Sequence, residues 1–125
     1  MSIYLDYQAT TPLDPVVADA MAPYWEDQYG NPHSQHRHGW QAAAGFDKAR
    51  TAVAALVGAP AAWTIFTSGA TEANNLALKG AMQAAPPGRR RLVTVATEHS
   101  CVLESARWLE QQGFELTVLN VEPSG

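Results

Sequence analysis

The protein has 125 residues, of which 46% are apolar, and its 12 acidic and 8 basic side chains leave a formal charge of −4. An apolar fraction of this size excludes a disordered chain. The acidic balance argues against nucleic acid or an anionic membrane as the main partner. Charged residues make up only 16% of the chain, against roughly a quarter in ordinary soluble domains, which suggests a surface that is largely covered by other polypeptide.

The cysteine content and the beginning of the chain predict a cytoplasmic protein. Cys101 is the only cysteine, which excludes an internal disulfide framework and fits a reducing compartment. The first residues lack the basic start and the long apolar run of a signal peptide. No stretch approaches the ~20 apolar residues that cross a bilayer, so no membrane association is expected.

The first elements in chain order are an arm and a helix. Residues 4–7 fit a short strand or an extended arm. Asp14 can cap the free N–H groups of a helix that starts at Pro15, where the missing proline N–H costs nothing. Pro23 is expected to kink or shorten this helix. A polar, turn-forming loop follows at residues 29–34.

The rest of the chain predicts an α/β fold. Strand-like segments rich in β-branched residues alternate with segments of helical period. Strands that are connected in this way through helices form a parallel sheet with right-handed crossovers. In chain order, the predicted elements are a helix at 40–57 that Gly58 ends, a strand at 63–66, a helix at 71–82, a strand at 92–96, a helix at 100–112 and a strand at 114–119.

The turn after the first predicted strand has the outline of a phosphate site. Ligands of open α/β sheets bind beyond the carboxyl ends of the strands, at helix N-termini. Gly69 and Ala70 keep the backbone bare, so that an anion can approach the free N–H groups. Hydroxyl groups could add donors, from Thr67, Ser68 and Thr71. The alternative is an ordinary capped strand-to-helix turn, and the motif is neither a nucleotide P-loop nor a dinucleotide fingerprint.

A second candidate lies after the next predicted strand, at residues 97–100. His99 would project from the carboxyl edge toward the same crevice. Its imidazole could stack on a planar cofactor or transfer protons near neutral pH. Alternatively, His99 only caps or covers its own helix.

Other reactive side chains carry weaker arguments. His33, His36 and His38 lie close together in sequence, but no cysteine or carboxylate completes an obvious metal site, so no metal is predicted. Cys101 falls in the first turn of a predicted helix with apolar neighbours. We expect a packed, unreactive thiol there rather than a nucleophile.

Four motifs are spread over essentially the whole chain. They are YLDYQATTP at 4–12, GNPHS at 30–34, FTSGATEANNLA at 66–77 and TEH at 97–99. In this order and spacing, they resemble the cysteine desulfurases, which are pyridoxal-phosphate enzymes of the class V aminotransferase family. The resemblance implies the aspartate aminotransferase-like fold of pyridoxal-phosphate-dependent transferases, here with an incomplete parallel sheet flanked by helices.

The resemblance also implies roles for individual residues. Ala70 and Thr71, with Gly69 beside them, would bind the phosphate of pyridoxal phosphate. His99 would stack on the pyridine ring and take part in proton transfer on the substrate. Asn31 would lie near the substrate entrance. Residues 1–14 would form an arm associated with the small domain, and residues 15–125 the first part of the large cofactor-binding domain.

The activity implied by the resemblance is the conversion of L-cysteine to L-alanine by a homodimer. The sulfur is left as a persulfide on an enzyme cysteine and passes to iron–sulfur scaffolds or to sulfur carriers, including those of tRNA thiolation. Two alternatives remain open. One is another class V enzyme, such as a selenocysteine lyase, and the other is a non-catalytic remnant or a subunit of a split enzyme.

Several parts of the family's catalytic machinery have no counterpart here. Pyridoxal-phosphate chemistry needs a lysine that carries the cofactor. Lys48 and Lys79 both lie inside predicted helices, and neither stands in the Ser-x-His-Lys setting of the family. The family's cofactor aspartate, substrate arginine and persulfide cysteine come later in its sequence, as do strands that lie between the first and second predicted here. We therefore expect an N-terminal third that is inactive without the remainder of the desulfurase chain.

Overall fold

The computed structural model describes residues 2–124, which fall into two compact units. The boundary between the units lies at Ile65 and Phe66. The first unit holds the arm and two helices, and the second holds two helices and a small sheet. The predicted boundary after residue 14 separates an arm from a cofactor-binding domain. It is a different division from the one between these two units, and it stays a prediction.

The first unit begins with a turn and a capped helix. In the arm, the amide of Ala9 donates to the carbonyl of Asp6 at 3.0 Å, so residues 4–7 lead into a turn and are not a strand. Helix α1 (Pro15–Trp25) starts as expected, because the Asp14 carboxylate accepts from the amide of Val16 at 2.8 Å. Pro23 lies inside α1, and the helix ends two residues later.

Helix α2 (Arg37–Leu56) packs against α1 and against the loop that precedes it. A Cβ atom on Gly45 would lie 2.5 Å from the Tyr24 ring, so a larger residue would displace this ring. Gly39 is buried, and a Cβ atom there would collide with the carbonyl oxygen of Ser34. Gly58 follows α2 with φ +64, the left-handed conformation of a helix C-terminus.

The second unit is built around a parallel strand pair. Helix α3 (Ala70–Gln83) precedes strand β1 (Arg91–Val95), and helix α4 (Ser100–Gln111) connects β1 to strand β2 (Glu115–Leu119). The strands are parallel, with Arg91 opposite Glu115 and Val95 opposite Leu119. The predicted α/β class and its parallel sheet are confirmed.

The core of the second unit lies under α4. Ser105, Ala106 and Leu109 are buried, and Leu109 is the one large side chain described that is fully covered. Helix α4 packs on both α3 and β2. Gly113, with φ +86, lets the chain turn from α4 toward β2.

The predicted strand at residues 63–66 is wrong. Ala61–Trp63 form a short 3-10 helix, and Thr64 is extended but belongs to no strand. A strand requires hydrogen bonds to a neighbouring strand, and the sheet within residues 2–124 consists of β1 and β2. Trp63 and Ile65 are accordingly 76% and 68% exposed.

Large apolar side chains are exposed in both units, which agrees with the low fraction of charged residues in the chain. The most exposed of them include Ile3, Leu5, Val16, Leu56, Val57 and Trp63. No helix within residues 2–124 is long and apolar enough to cross a membrane.

Candidate active site

The start of α3 presents unpaired backbone donors. The first hydrogen bond inside the helix joins the amide of Ala73 to the carbonyl of Gly69 at 3.0 Å. The amides of Ala70, Thr71 and Glu72 therefore have no helical acceptor. No side chain caps the helix at Gly69, and a Cβ atom there would have no neighbour within 4 Å. This open space and the helix dipole suit an anion.

Of the three hydroxyl groups expected to add donors at this site, two are already engaged. Thr67 donates its hydroxyl to the carbonyl of Gly69 at 3.1 Å. Ser68 donates its hydroxyl and its amide to one carboxylate oxygen of Glu72, at 2.6 and 2.7 Å. These bonds, the hydroxyl contact above all, lower the pKa of Glu72. Only the Thr71 hydroxyl has no intramolecular partner within residues 2–124.

His99 caps α4 with its own ring. The backbone of His99 is extended, and its Nδ1 accepts from the amide of Cys101 at 3.2 Å. Nδ1 also lies 3.1 Å from Sγ of Cys101. The capping role that we kept as an alternative is therefore present, and it engages only one ring nitrogen. Nε2 has no hydrogen-bond partner among the described residues.

Cys101 links α4 to α3. Its side chain is half-buried, and its sulfur accepts a hydrogen bond from Nδ2 of Asn74 at 3.2 Å. The sulfur therefore lies between an amide donor on α3 and the ring nitrogen of His99. The thiol is therefore half-buried with two polar contacts, whereas the sequence predicted apolar surroundings for it.

A groove of about 420 Å³ between α3 and α4 brings Thr71 and His99 together. Lys79 also lines it, with Nζ 4.4 Å from the ring centroid of Trp108. Asn31 lies in the first unit, where its side-chain oxygen accepts from the amide of His33 at 2.9 Å. The groove thus holds two of the candidate residues within one unit.

Comparison with known proteins identifies the family of the chain. The family described as aminotransferase class V matches residues 3–125. The chain belongs to this family. Among curated relatives of this class V chain, the cysteine desulfurase IscS of Rickettsia akari (strain Hartford) is 51% identical over 100% of the chain. The cysteine desulfurase of Homo sapiens is 52% identical over 98% of it.

Solved structures of related proteins also align with the class V chain. A NifS-like protein superposes with a TM-score of 0.85 at 35% identity, covering 95% of this chain and 33% of that protein. The structure described as SspA in complex with cysteine gives 0.83 at 36% identity, covering 94% and 34%. The chain spans 31% of the Rickettsia relative and 27% of the human one.

The class V chain also has groove residues that the motif analysis did not single out. A periodicity of four residues could have revealed them, because it places side chains on one helix face. On α3 this face carries Thr71, Asn75 and Lys79, and on α4 it carries Ser100, Glu104 and Trp108.

Two of the three clustered histidines of the first unit have local side-chain partners. His36 caps α2, with Nδ1 accepting from the amide of Gly39 at 3.3 Å. The ring of His38 stacks on Tyr29 at 5.7 Å. Within residues 2–124, no three His, Cys, Asp or Glu side chains are grouped so as to hold a metal.

Proposed function

We propose that this chain is the N-terminal part of a pyridoxal-phosphate-dependent cysteine desulfurase that converts L-cysteine to L-alanine. The observation that carries the proposal is the groove in which the open start of α3 and His99 meet. About 50% identity to proteins named cysteine desulfurases supports the reaction. A related structure described as a complex with cysteine supports the substrate.

The start of α3 fits the phosphate of the proposed cofactor. The amides of Ala70 and Thr71 would donate to phosphate oxygens, together with the Thr71 hydroxyl. Gly69 leaves the approach open, since the space beside it is empty to 4 Å. When bound, pyridoxal phosphate supplies an electron sink for the carbon atoms of the substrate amino acid.

His99 is proposed to cover the pyridine ring and to move a substrate proton. Its Nδ1 accepts from the amide of Cys101, which leaves Nε2 as the ring nitrogen through which a substrate proton would pass. Asn31 is proposed to lie near the substrate entrance.

The remaining catalytic groups are proposed to come from a longer chain. Lys48 and Lys79 lie within α2 and α3, so neither takes the cofactor-carrying role. The relatives named above are more than three times as long as this chain, which covers 31% and 27% of them. That remainder would supply the lysine, the persulfide cysteine and the strands that complete the sheet. Homodimerisation, sulfur-acceptor proteins, the division at residue 14 and a cytoplasmic location belong to the same proposal.

The proposal is tested with full-length protein that carries this sequence. It should release L-alanine from L-cysteine when pyridoxal phosphate is supplied. Replacing Thr71 by alanine should weaken the binding of inorganic phosphate to the cofactor-free protein by about tenfold, because a hydrogen bond to a charged group is lost. Thr51→Ala is the matched control, since that hydroxyl donates to the carbonyl of Asp47 within α2. Equal phosphate affinity in both variants would refute the phosphate site.

A further inference from the structure

The carboxylate of Glu72 restrains the turn before α3 through Ser68. One of its oxygens, Oε2, accepts from both the amide and the hydroxyl of Ser68. Glu72 is the third residue of the helix and reaches back past Gly69, one residue further than in a capping box. Both bonds to Oε2 are short enough to be charge-assisted.

The turn that Glu72 holds is exposed. Ser68, Gly69 and Glu72 are all exposed, and the space beside Gly69 is open. A second local restraint is the bond from the Thr67 hydroxyl to the carbonyl of Gly69. An exposed turn depends strongly on such side-chain bonds for its conformation.

We propose that Glu72 is a positioning residue of the anion site, which holds the Ser68–Gly69 turn so that the amides of Ala70 and Thr71 face the ligand. The inference rests on the proposed function, because it takes the start of α3 to be the phosphate site. Glu72 occupies the donors of Ser68, and those donors are then not the ones that bind the ligand.

The negative charge of Glu72 opposes anion binding, whereas its hydrogen bonds to Ser68 position the turn for that binding. The bonds from Ser68 lower the pKa of Glu72, so the side chain is negative at neutral pH. A negative charge in the first turn interacts favourably with the helix dipole, but it repels a bound anion. Geometry and charge can be separated, because a glutamine at this position keeps an acceptor oxygen without the charge.

The experiment compares Glu72→Gln, Glu72→Ala and wild-type versions of the cofactor-free full-length protein. The probes are inorganic phosphate, followed by calorimetry, and amide hydrogen exchange of residues 66–72. We expect Glu72→Ala to weaken phosphate binding by about tenfold, as for the loss of charge-assisted hydrogen bonds, and to speed exchange at Ser68. Glu72→Gln should keep the slow exchange and bind phosphate at least as tightly as wild type.

Glu104→Gln is the charge control. Glu104 lines the same groove but bonds to Arg107 and does not touch the loop, so its loss should leave exchange at Ser68 unchanged. Ser68→Ala is a milder test, because it removes one of the two bonds and should fall between Glu72→Ala and wild type.

Two outcomes separate this inference from the proposed function. If wild type binds phosphate and Glu72→Ala binds it equally well, the role of Glu72 is refuted and the phosphate site stands. A loss of binding in Glu72→Gln as large as in Glu72→Ala would also refute positioning by the acceptor oxygen. If wild type binds no phosphate, the phosphate site itself is refuted, together with this inference.

Discussion

The N-termini of α3 and α4 differ in how the unpaired amides of their first turns are used. At α4, the His99 ring itself accepts from a first-turn amide, that of Cys101. At α3, the restraining carboxylate of Glu72 bonds to Ser68, which lies before the helix. The amides of the first turn of α3 therefore stay available to an external anion. The first turn of α3 leaves its amides without a protein acceptor within residues 2–124, whereas the first turn of α4 bonds one of its amides to a histidine ring.

The difference shows that a polar turn before a helix does not by itself indicate a binding site. Both turns contain hydroxyl or imidazole groups that could cap. What separates them is the direction in which the capping acceptor points, and that direction depends on side-chain conformation.

The largest effect is expected when the core under α4 loses its fully buried leucine. Leu109 is fully buried under α4, so Leu109→Ala should lower the free energy of unfolding by about 2–5 kcal/mol. Urea unfolding measures this change. Leu76→Ala is the control, because Leu76 is 50% exposed on α3, and its cost should be less than half as large. Equal costs would show that α4 does not carry the core.

The next effect comes from replacing His99, which should change stability through the N-terminus of α4 without changing anion binding at the N-terminus of α3. His99→Ala should lower the free energy of unfolding by about 1 kcal/mol through loss of a helix cap, while leaving the phosphate affinity of the cofactor-free protein unchanged. His99→Asn should restore stability, since asparagine is a strong cap. Unfolding curves and phosphate calorimetry on the same samples test this. A large loss of phosphate affinity in His99→Asn would contradict the division of roles.

A smaller effect concerns the contact between the two helices beside these starts. Asn74 donates to the sulfur of Cys101, and a double-mutant cycle of the two alanine variants should give a coupling energy of about 0.5 kcal/mol. Asn75 is the control, because it donates to the carbonyl of Thr71 within α3 and should show no coupling to Cys101. Cys101→Ser should retain part of the coupling. Equal coupling for both asparagines would argue against a specific bond.

The smallest effect is a pH dependence at the start of α3 alone. Hydrogen bonds from Ser68 lower the pKa of Glu72 below its ordinary value of 4.5. The stabilisation is therefore complete above that ordinary value and is lost as the pH falls through the lowered pKa of the folded protein. Amide exchange at Ser68 should rise over this acidic range in wild type and stay flat in Glu72→Gln. A parallel rise in both proteins would assign the change to other groups.

Much of the fold could be predicted from local rules. Asp14 and Pro15 marked the start of α1 correctly, because a cap and a proline have position-specific effects that need no tertiary contact. Strands β1 and β2 were expected within one residue of their observed ends, since each has its partner nearby in the chain. The strand at 63–66 was wrong because pairing is not a property of one segment.

The candidate site was predictable only in part. The sequence predicted that Thr71 and His99 would approach one another at the carboxyl ends of two strands. Both residues line one groove, although the strand expected before Thr71 is absent from the described residues. The engagement of Ser68 by Glu72 was missed, because it depends on a side chain folding back across the helix start. The ligand roles of Thr71 and His99 stay predictions.

The short distance along the chain between the paired strands has a consequence for folding. Arg91 and Glu115, which pair at the start of the sheet, are 24 residues apart, and the 12 residues of α4 lie within that span. Closing a loop of this length costs less chain entropy than pairing strands that lie farther apart in the sequence. The strand–helix–strand segment can therefore form early during synthesis, and each outer strand edge can then serve as a template for a later strand.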